Sequence, residues 1–415
     1  MHNSLNKLKF INYSKSPRAT AIILFLLSPL ALLLPMTAHA DDADALNFIA
    51  GISRQHDNNL FRSSSSERSD NITRAYAGVR VDKQYAQQRF KLDFTISSNQ
   101  YQTFDQLDFT SEDYRAAWLW SLTPHLTGTL SADRKQVLNS FQDFQGTNLT
   151  NIRNISTNET QHFEADYSPH NVWHLLGGVT RFTQKNSNNS NNAFSGQEDF
   201  SLNTLDAGVK YNFRSGSSVT LMGHTGDGSF KDRPLNPTSL HDSGFDENEV
   251  EAKLDWLLSG KSRLYARVGY VSRDHDHFSQ RDFSGAEGNL DYTWSPTGKL
   301  QLILSAASYL SSFQTNDTDY TRTNTLNISP VYALSDKVKL QATASISERS
   351  FLGVGVNNAN SDREDWTKLA SVGAEWTPLR SVSLGANLAR SVRSSNSPGL
   401  DFTDTTAGVY ANLFF

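Results

Sequence analysis

Apolar and polar residues alternate one by one along most of the chain, the period of a β-strand that shows half of its side chains to an apolar medium. Phe90, Leu92, Phe94 and Ile96 fall on one face of such a segment, and Arg89, Lys91, Asp93, Thr95 and Ser97 on the other. The pattern returns in Val250, Ala252, Leu254 and Trp256 against Glu249, Glu251, Lys253 and Asp255. It returns again in Leu264, Ala266, Val268 and Tyr270 against Arg267, Gly269 and Arg273. At the carboxyl end Ala407, Val409, Ala411, Leu413 and Phe415 form one apolar face of a last segment that finishes in two phenylalanines. Termini fray into water and seldom carry two such rings, so this segment is expected to close against another strand.

The connections alternate as well. Short turns fall near Gln87, Pro124, Pro169, Ser215, Gly260, Pro296, Ser335 and Pro378. Between them lie mostly longer polar connections, among them 139–154 and an Asn-rich stretch at 186–196. Eight short and nine outer connections join eighteen strands between residues 44 and 415. An aromatic precedes each short turn: Tyr85, Trp120, Tyr167, Phe213, Trp256, Trp294, Tyr332 and Trp376. Even strand number, short turns at one rim, long loops at the other and an aromatic girdle predict an all-β fold, a transmembrane antiparallel up-and-down β-barrel. A propeller would bury both sheet faces and would not line one of them with Glu, Lys, Asp and Arg. The charged face then lines the lumen, with Arg80, Arg89, Lys91, Asp93, Glu249, Glu251, Lys253, Asp255, Arg267, Glu287 and Asp291 as lumen-facing candidates. Val409, Leu413 and Phe415 mark the closing strand, expected to pair with the first strand around Leu46, Phe48, Ala50 and Ile52 so that no edge remains.

The amino-terminal segment belongs to targeting and not to the fold. Lys7, Lys9, Lys15 and Arg18 precede an apolar run over residues 21–35, and Ala38-His39-Ala40 is a small-residue cleavage site. That run is shorter than the ~20 residues a membrane-spanning helix needs, and Pro29 and Pro35 interrupt or end it. We therefore expect a signal peptide over 1–40, an outer-membrane β-barrel over 41–415, and the bacterial outer membrane as the destination. Taking the four cations of the signal peptide from 38 Lys and Arg leaves 34 against 43 acidic residues, a charge of −9 that argues against a nucleic-acid partner. The chain has no cysteine, which excludes disulfides and a lipidated amino-terminal Cys. Downstream of Ala40 there is no apolar run of ~18 residues, so insertion must be as a closed sheet.

Candidate chemistry is sparse. Asp274-His275-Asp276-His277 has metal-ligand residue types, but it sits in a loop with no matching partner elsewhere, and a loop charge cluster is the commoner explanation. The other histidines are expected near turns and loops, and neither a G-x-S-x-G elbow nor an H-E-x-x-H motif occurs. No catalytic residue, metal site or cofactor is assigned.

Several stretches resemble the EpsL-type outer-membrane β-barrel proteins associated with exopolysaccharide biosynthesis in PEP-CTERM/exosortase bacteria. They are His56-Asp57-Asn58-Asn59-Leu60-Phe61-Arg62, Ala77-Gly78-Val79-Arg80-Val81-Asp82-Lys83, Gln88-Arg89-Phe90 with Tyr101, Trp118-Leu119-Trp120, Gly128-Thr129-Leu130 and Ser140-Phe141-Gln142-Asp143-Phe144-Gln145-Gly146. The likeness is densest in the first third of the mature chain. It implies a barrel that assists polysaccharide secretion, with the polymer, periplasmic export components, outer-membrane lipid and the barrel-assembly machinery as partners. A diffusion or sugar-uptake porin is the first alternative, and a barrel enzyme acting on lipid or polysaccharide the second.

Overall fold

The computed structural model describes residues 45–143, 152–187, 199–231, 233–357 and 362–415. The expected signal peptide and most of the Asn-rich stretch lie outside them. Eighteen strands follow one another. The first six are β1 (Leu46–Asp57), β2 (Asp70–Tyr85), β3 (Gln88–Tyr101), β4 (Phe109–Thr123), β5 (Leu126–Leu138) and β6 (Ile155–His170). The next six are β7 (Trp173–Asn186), β8 (Phe200–Asn212), β9 (Ser218–Phe230), β10 (Gly244–Ser259), β11 (Ser262–His275) and β12 (Phe283–Trp294). The last are β13 (Leu300–Ser312), β14 (Tyr320–Ser335), β15 (Val338–Leu352), β16 (Glu364–Leu379), β17 (Val382–Ser395) and β18 (Phe402–Phe414). They correspond one for one to the eighteen expected segments.

Every strand pairs antiparallel with its sequence neighbours, and β18 returns to β1. Ala50 faces Leu413, and Ile52 faces Ala411. At the inner rim the Phe415 amide donates to the Phe48 carbonyl at 3.0 Å, and the two rings stack with centroids 6.1 Å apart. At the outer end the loop after β1 ties the same seam. The Asn59 side chain donates to the Thr403 carbonyl at 2.9 Å, and the Asn58 side chain accepts from the Thr405 amide at 2.6 Å.

Alternation sorts the two faces as binary patterning requires. Val250, Val268, Leu205 and Leu221 point outward and stay exposed, as side chains that meet acyl chains must. On β10 this apolar band runs from Val250 to Leu258, with Leu254 at its middle. Leu254→Arg would place a guanidinium in hydrocarbon and should destabilise the barrel by about 2–4 kcal/mol; urea unfolding in lipid vesicles measures it. Seven of the eight turn aromatics are exposed at the inner rim. Trp120 departs from them at 7% exposure: it lies against Gly128, where a Cβ would come within 2.3 Å of the indole, and stacks on Phe163.

The turns differ from expectation in two places. Pro169 and Pro378 lie inside β6 and β16, and the chain reverses just after them. The register shifts there, between Tyr167 and His170 and between Trp376 and Leu379. A bulge accommodates the missing proline N–H without ending the strand.

A closed sheet has no central core, and the buried apolar residues gather at the outer end instead. Leu60, Phe61, Tyr101, Leu107 and Phe141 form one cluster. Phe230, Phe245 and Phe283 lie buried at the outer ends of β9, β10 and β12, and Phe351, Leu400 and Phe402 around the outer ends of β15 to β18.

Candidate functional site: the lumen belt and the outer mouth

The inward faces carry paired charges. Arg80 contacts Asp93 at 2.6 Å, Arg89 contacts Asp82 at 2.7 Å, and Asp255 accepts from Arg263 at 2.7 Å. Lys91 stands opposite Asp82 in the ladder, and Asp291 accepts from Asn289 at 3.0 Å. These pairs are largely solvated by the lumen and each contributes little to stability.

The other five lumen candidates converge. Arg267 bonds both Glu249 and Glu251, Lys253 reaches Glu251 at 2.5 Å, and Glu287 lies 4.0 Å from Arg267. His224 continues the network, Nε2 to Glu251 at 3.0 Å and Nδ1 to Asp206 at 2.6 Å. Thr180 donates to Asp206 at 3.1 Å and contacts His162 Nδ1 at 2.9 Å. Glu287 accepts from the Leu310 amide at 2.7 Å. The result is a polar belt that crosses eight consecutive strands, β6 to β13, at one depth. The belt borders a recess of about 350 Å³ lined by His162, Glu164, Thr180, Asp206, His224 and Lys253.

His162 and His224 are thus mid-strand lumen groups, not the turn and loop residues the sequence suggested, whereas His174, second in β7, lies beside a short turn as expected and contacts Asp166 at 2.6 Å. No spacing rule could have joined them, because their partners meet only across ladders. Both ring nitrogens of His224 are engaged by carboxylates, so it has no free nitrogen with which to activate a nucleophile. Its ligand atom and those of Glu249 and Glu251 lie within 4.8 Å of one another, but Arg267 and Lys253 already neutralise the same carboxylates. A divalent cation would have to displace two fixed cations, so the set fits a wall network better than a metal centre.

The Asp274–His277 run splits: Asp276 and His277 come together with Asp242, their ligand atoms all within 4.8 Å of one another, and His275 turns away. His275 is buried, stacked on Phe230 and bonded to Gln314 at 3.0 Å, whereas His277 contacts Asp242 at 2.9 Å. Asp242 organises this outer loop by accepting from the amides of His277, Phe278 and Ser243 at 2.7, 2.9 and 2.7 Å. Burial alone raises its pKa, but the His277 ring and these amides outweigh burial and hold the carboxyl at about 2. A depressed carboxyl contributes stability above its ordinary value of about 4 and loses it as pH falls to about 2. Amide exchange at His277 and Phe278 should therefore be protected at pH 5 and lose protection across that window. Asp242→Asn should remove this pH dependence.

At the outer mouth the chain after β5 leaves the wall. Phe141 packs on Phe61 with centroids 4.9 Å apart, and Asp143 then meets three guanidinium groups. Arg349 lies at 2.8 Å, Arg363 at 3.2 Å and Arg393 at 3.7 Å. These arginines stand on β15, just before β16, and on β17, while β16 lies seven strands from β5 around the closed wall. Residues 139–143 must therefore cross the opening. Arg393 also donates to the Gln142 carbonyl and to the Leu400 carbonyl at 2.7 Å. Farther along the same rim, Arg281 is 1% exposed and fixes the β13–β14 hairpin tip, bonding Asp319 at 2.6 Å and the carbonyls of Thr315 and Thr318 at 3.0 and 2.8 Å. One charged clamp thus holds chain across the mouth, and a second ties neighbouring outer loops together.

Residues 249–413, which are 165 of the 415, match the family model described as "Putative beta-barrel porin 2". Among solved structures, Pseudomonas aeruginosa OccK2 (OpdF) aligns with a TM-score of 0.50 at 11% identity, over 89% of this chain and 97% of that one. OccK1 (OpdK) of the same organism aligns with a TM-score of 0.49 at 12% identity, over 89% and 99%. No curated protein matches the chain. The chain is a porin-like outer-membrane β-barrel. The structural likeness is one of fold, and the belt and clamps are described here from this chain's own residues.

Proposed function

We propose that the barrel is a passive diffusion channel for small polar solutes, with its outer mouth narrowed by the segment that Asp143 anchors. The observation that carries this reading is the polar lining: acids and bases paired across the wall give a hydrated path without a strong field of either sign. Such a lumen offers weak, repeated contacts from which a solute can leave again. The match of residues 249–413 to a porin family model supports the same reading. Liposome swelling tests it. Small neutral sugars should enter protein-containing vesicles faster than empty ones, with little difference between cationic and anionic solutes of equal size. Swelling no faster than that of empty vesicles would refute it.

A second reading is favoured by one observation. Asp57, Asn59, Leu60, Phe61, Arg62, Phe141 and Asp143, which tie the outer seam and cross the mouth, all lie in the stretches that resemble EpsL-type proteins. In that reading a polysaccharide delivered by periplasmic export components displaces the crossing segment as it leaves. A deletion strain that still secretes normal polymer would argue against it.

A further inference from the structure

We infer that the seam between β12 and β13 is a lateral portal, through which single-chain anionic amphiphiles pass between the outer leaflet and the lumen. The two strands are joined at the inner rim by a short turn, and their ladder runs from Trp294 opposite Leu302 up to Gly288 opposite Ser308. There it stops, although β12 stays paired to β11 as far as Phe283 and β13 to β14 as far as Ser312. The β4–β5 ladder also ends early, at Tyr114 opposite Arg134, but side chains bridge that gap. Asp113 and the Gln136 side chain accept from strand amides at 2.9 Å, and Lys135 contacts Asp113 at 2.6 Å. Across the β12–β13 gap the links are fewer: Glu287 accepts from the Leu310 amide at 2.7 Å, and at the top of β12 Phe283 stacks on Tyr320 with centroids 5.0 Å apart.

The position and lining of the gap indicate what it would take. Its lower lip, Gly288 and Ser308, stands at the top of the outward apolar band. A crevice of about 670 Å³ runs below it, bordered outside by Leu290, Ala306, Leu326 and Ile346 and inside by Arg267 and Glu287. A tail lying along the outward residues would present its polar head at the gap. Arg322 crosses that gap: a Cβ at Gly285 on β12 would come within 2.9 Å of its guanidinium and 3.0 Å of Leu310. Its Nε is buried without a hydrogen-bond partner among the described residues. A half-buried guanidinium with one unpartnered nitrogen at the height of the headgroups favours a carboxylate or phosphate head.

The absence of native cysteine allows a direct test. Ala307 borders the crevice from the lumen face, and Ser131 on β5 stands at comparable belt depth far from the seam. Ala307→Cys and Ser131→Cys, each checked for folding by heat-modifiability, are labelled in vesicles with a fatty acid that bears a maleimide beside its carboxylate. Rates are normalised to a water-soluble maleimide, which arrives through the lumen. The portal predicts several-fold faster labelling at Ala307→Cys. It also predicts that adding Arg322→Gln lowers that rate about tenfold, the size of one charge-assisted contact, while sugar-driven swelling stays unchanged. Equal normalised rates at the two positions would overturn the portal. An Arg322→Gln variant that labels as fast as its parent would overturn the anionic head.

Discussion

Asp143→Ala should open the outer mouth. The carboxylate is the common anion for Arg349, Arg363 and Arg393, whose side chains are 23%, 15% and 3% exposed. Removing it leaves three partly or fully buried cations close together, compensated among the described residues by Asp365, which contacts Arg363 at 2.6 Å and lies 3.7 Å from Arg393. Docking of residues 139–143 should weaken by about 3 kcal/mol, because breaking a buried pair costs more than forming it gains. The wall should keep its stability, since those arginines also stack on Phe351, at 4.7 and 3.8 Å for Arg349 and Arg363, and on Phe402, at 4.9 Å for Arg393. Single-channel conductance should therefore rise while heat-modifiability stays as in the parent. Asp143→Glu should restore most of the closed behaviour, which separates loss of the charge from a general disturbance of the loop.

Arg281→Met should have the largest effect on stability. Arg281 and Asp319 are both 1% exposed, and the guanidinium also satisfies carbonyls of Ser239, Thr315 and Thr318. Methionine fills much of the volume but leaves Asp319 as a buried anion without its cation, at a cost of about 3–5 kcal/mol. Asp319 also accepts from the amides of Val354 and Gly355 at 2.8 and 3.1 Å, so the disturbance should spread to the loop after β15. Hydrogen exchange should quicken in 313–319 and 353–355 and stay slow in the apolar band. An Arg281→Met/Asp319→Leu double variant should recover much of the loss, because it removes both charges together.

Much of the wall was legible in the sequence. Strand number, the inward and outward faces and the meeting of the last strand with the first follow from period-two alternation, which one buried face enforces along every strand. The turn aromatics were legible for the same reason, although Trp120 is covered because Gly128 leaves a hollow beside it. The belt was not. Glu249, Glu251, Lys253, Arg267 and Glu287 could be placed on one face, but their junction with Asp206 and His224 depends on register across two further ladders. Bulges at five of the eight short hairpins help to set that register, and they leave no mark in residue periodicity. The mouth was still less legible. Asp143 and its arginines are separated by more than 200 residues, and a loop that crosses an opening carries no period at all. The Asp274–His277 run shows the opposite failure: the fold parts His275 from Asp276 and His277, which meet at the distant Asp242.

Planar-bilayer recording of the purified protein probes the hydrated lumen and the charge-clamped segment that narrows it in one experiment. The parent chain should give small, ohmic conductance steps with weak ion selectivity, and Asp143→Ala larger steps of the same selectivity. A folded, inserted protein that shows no conductance in either form would contradict the hydrated lumen.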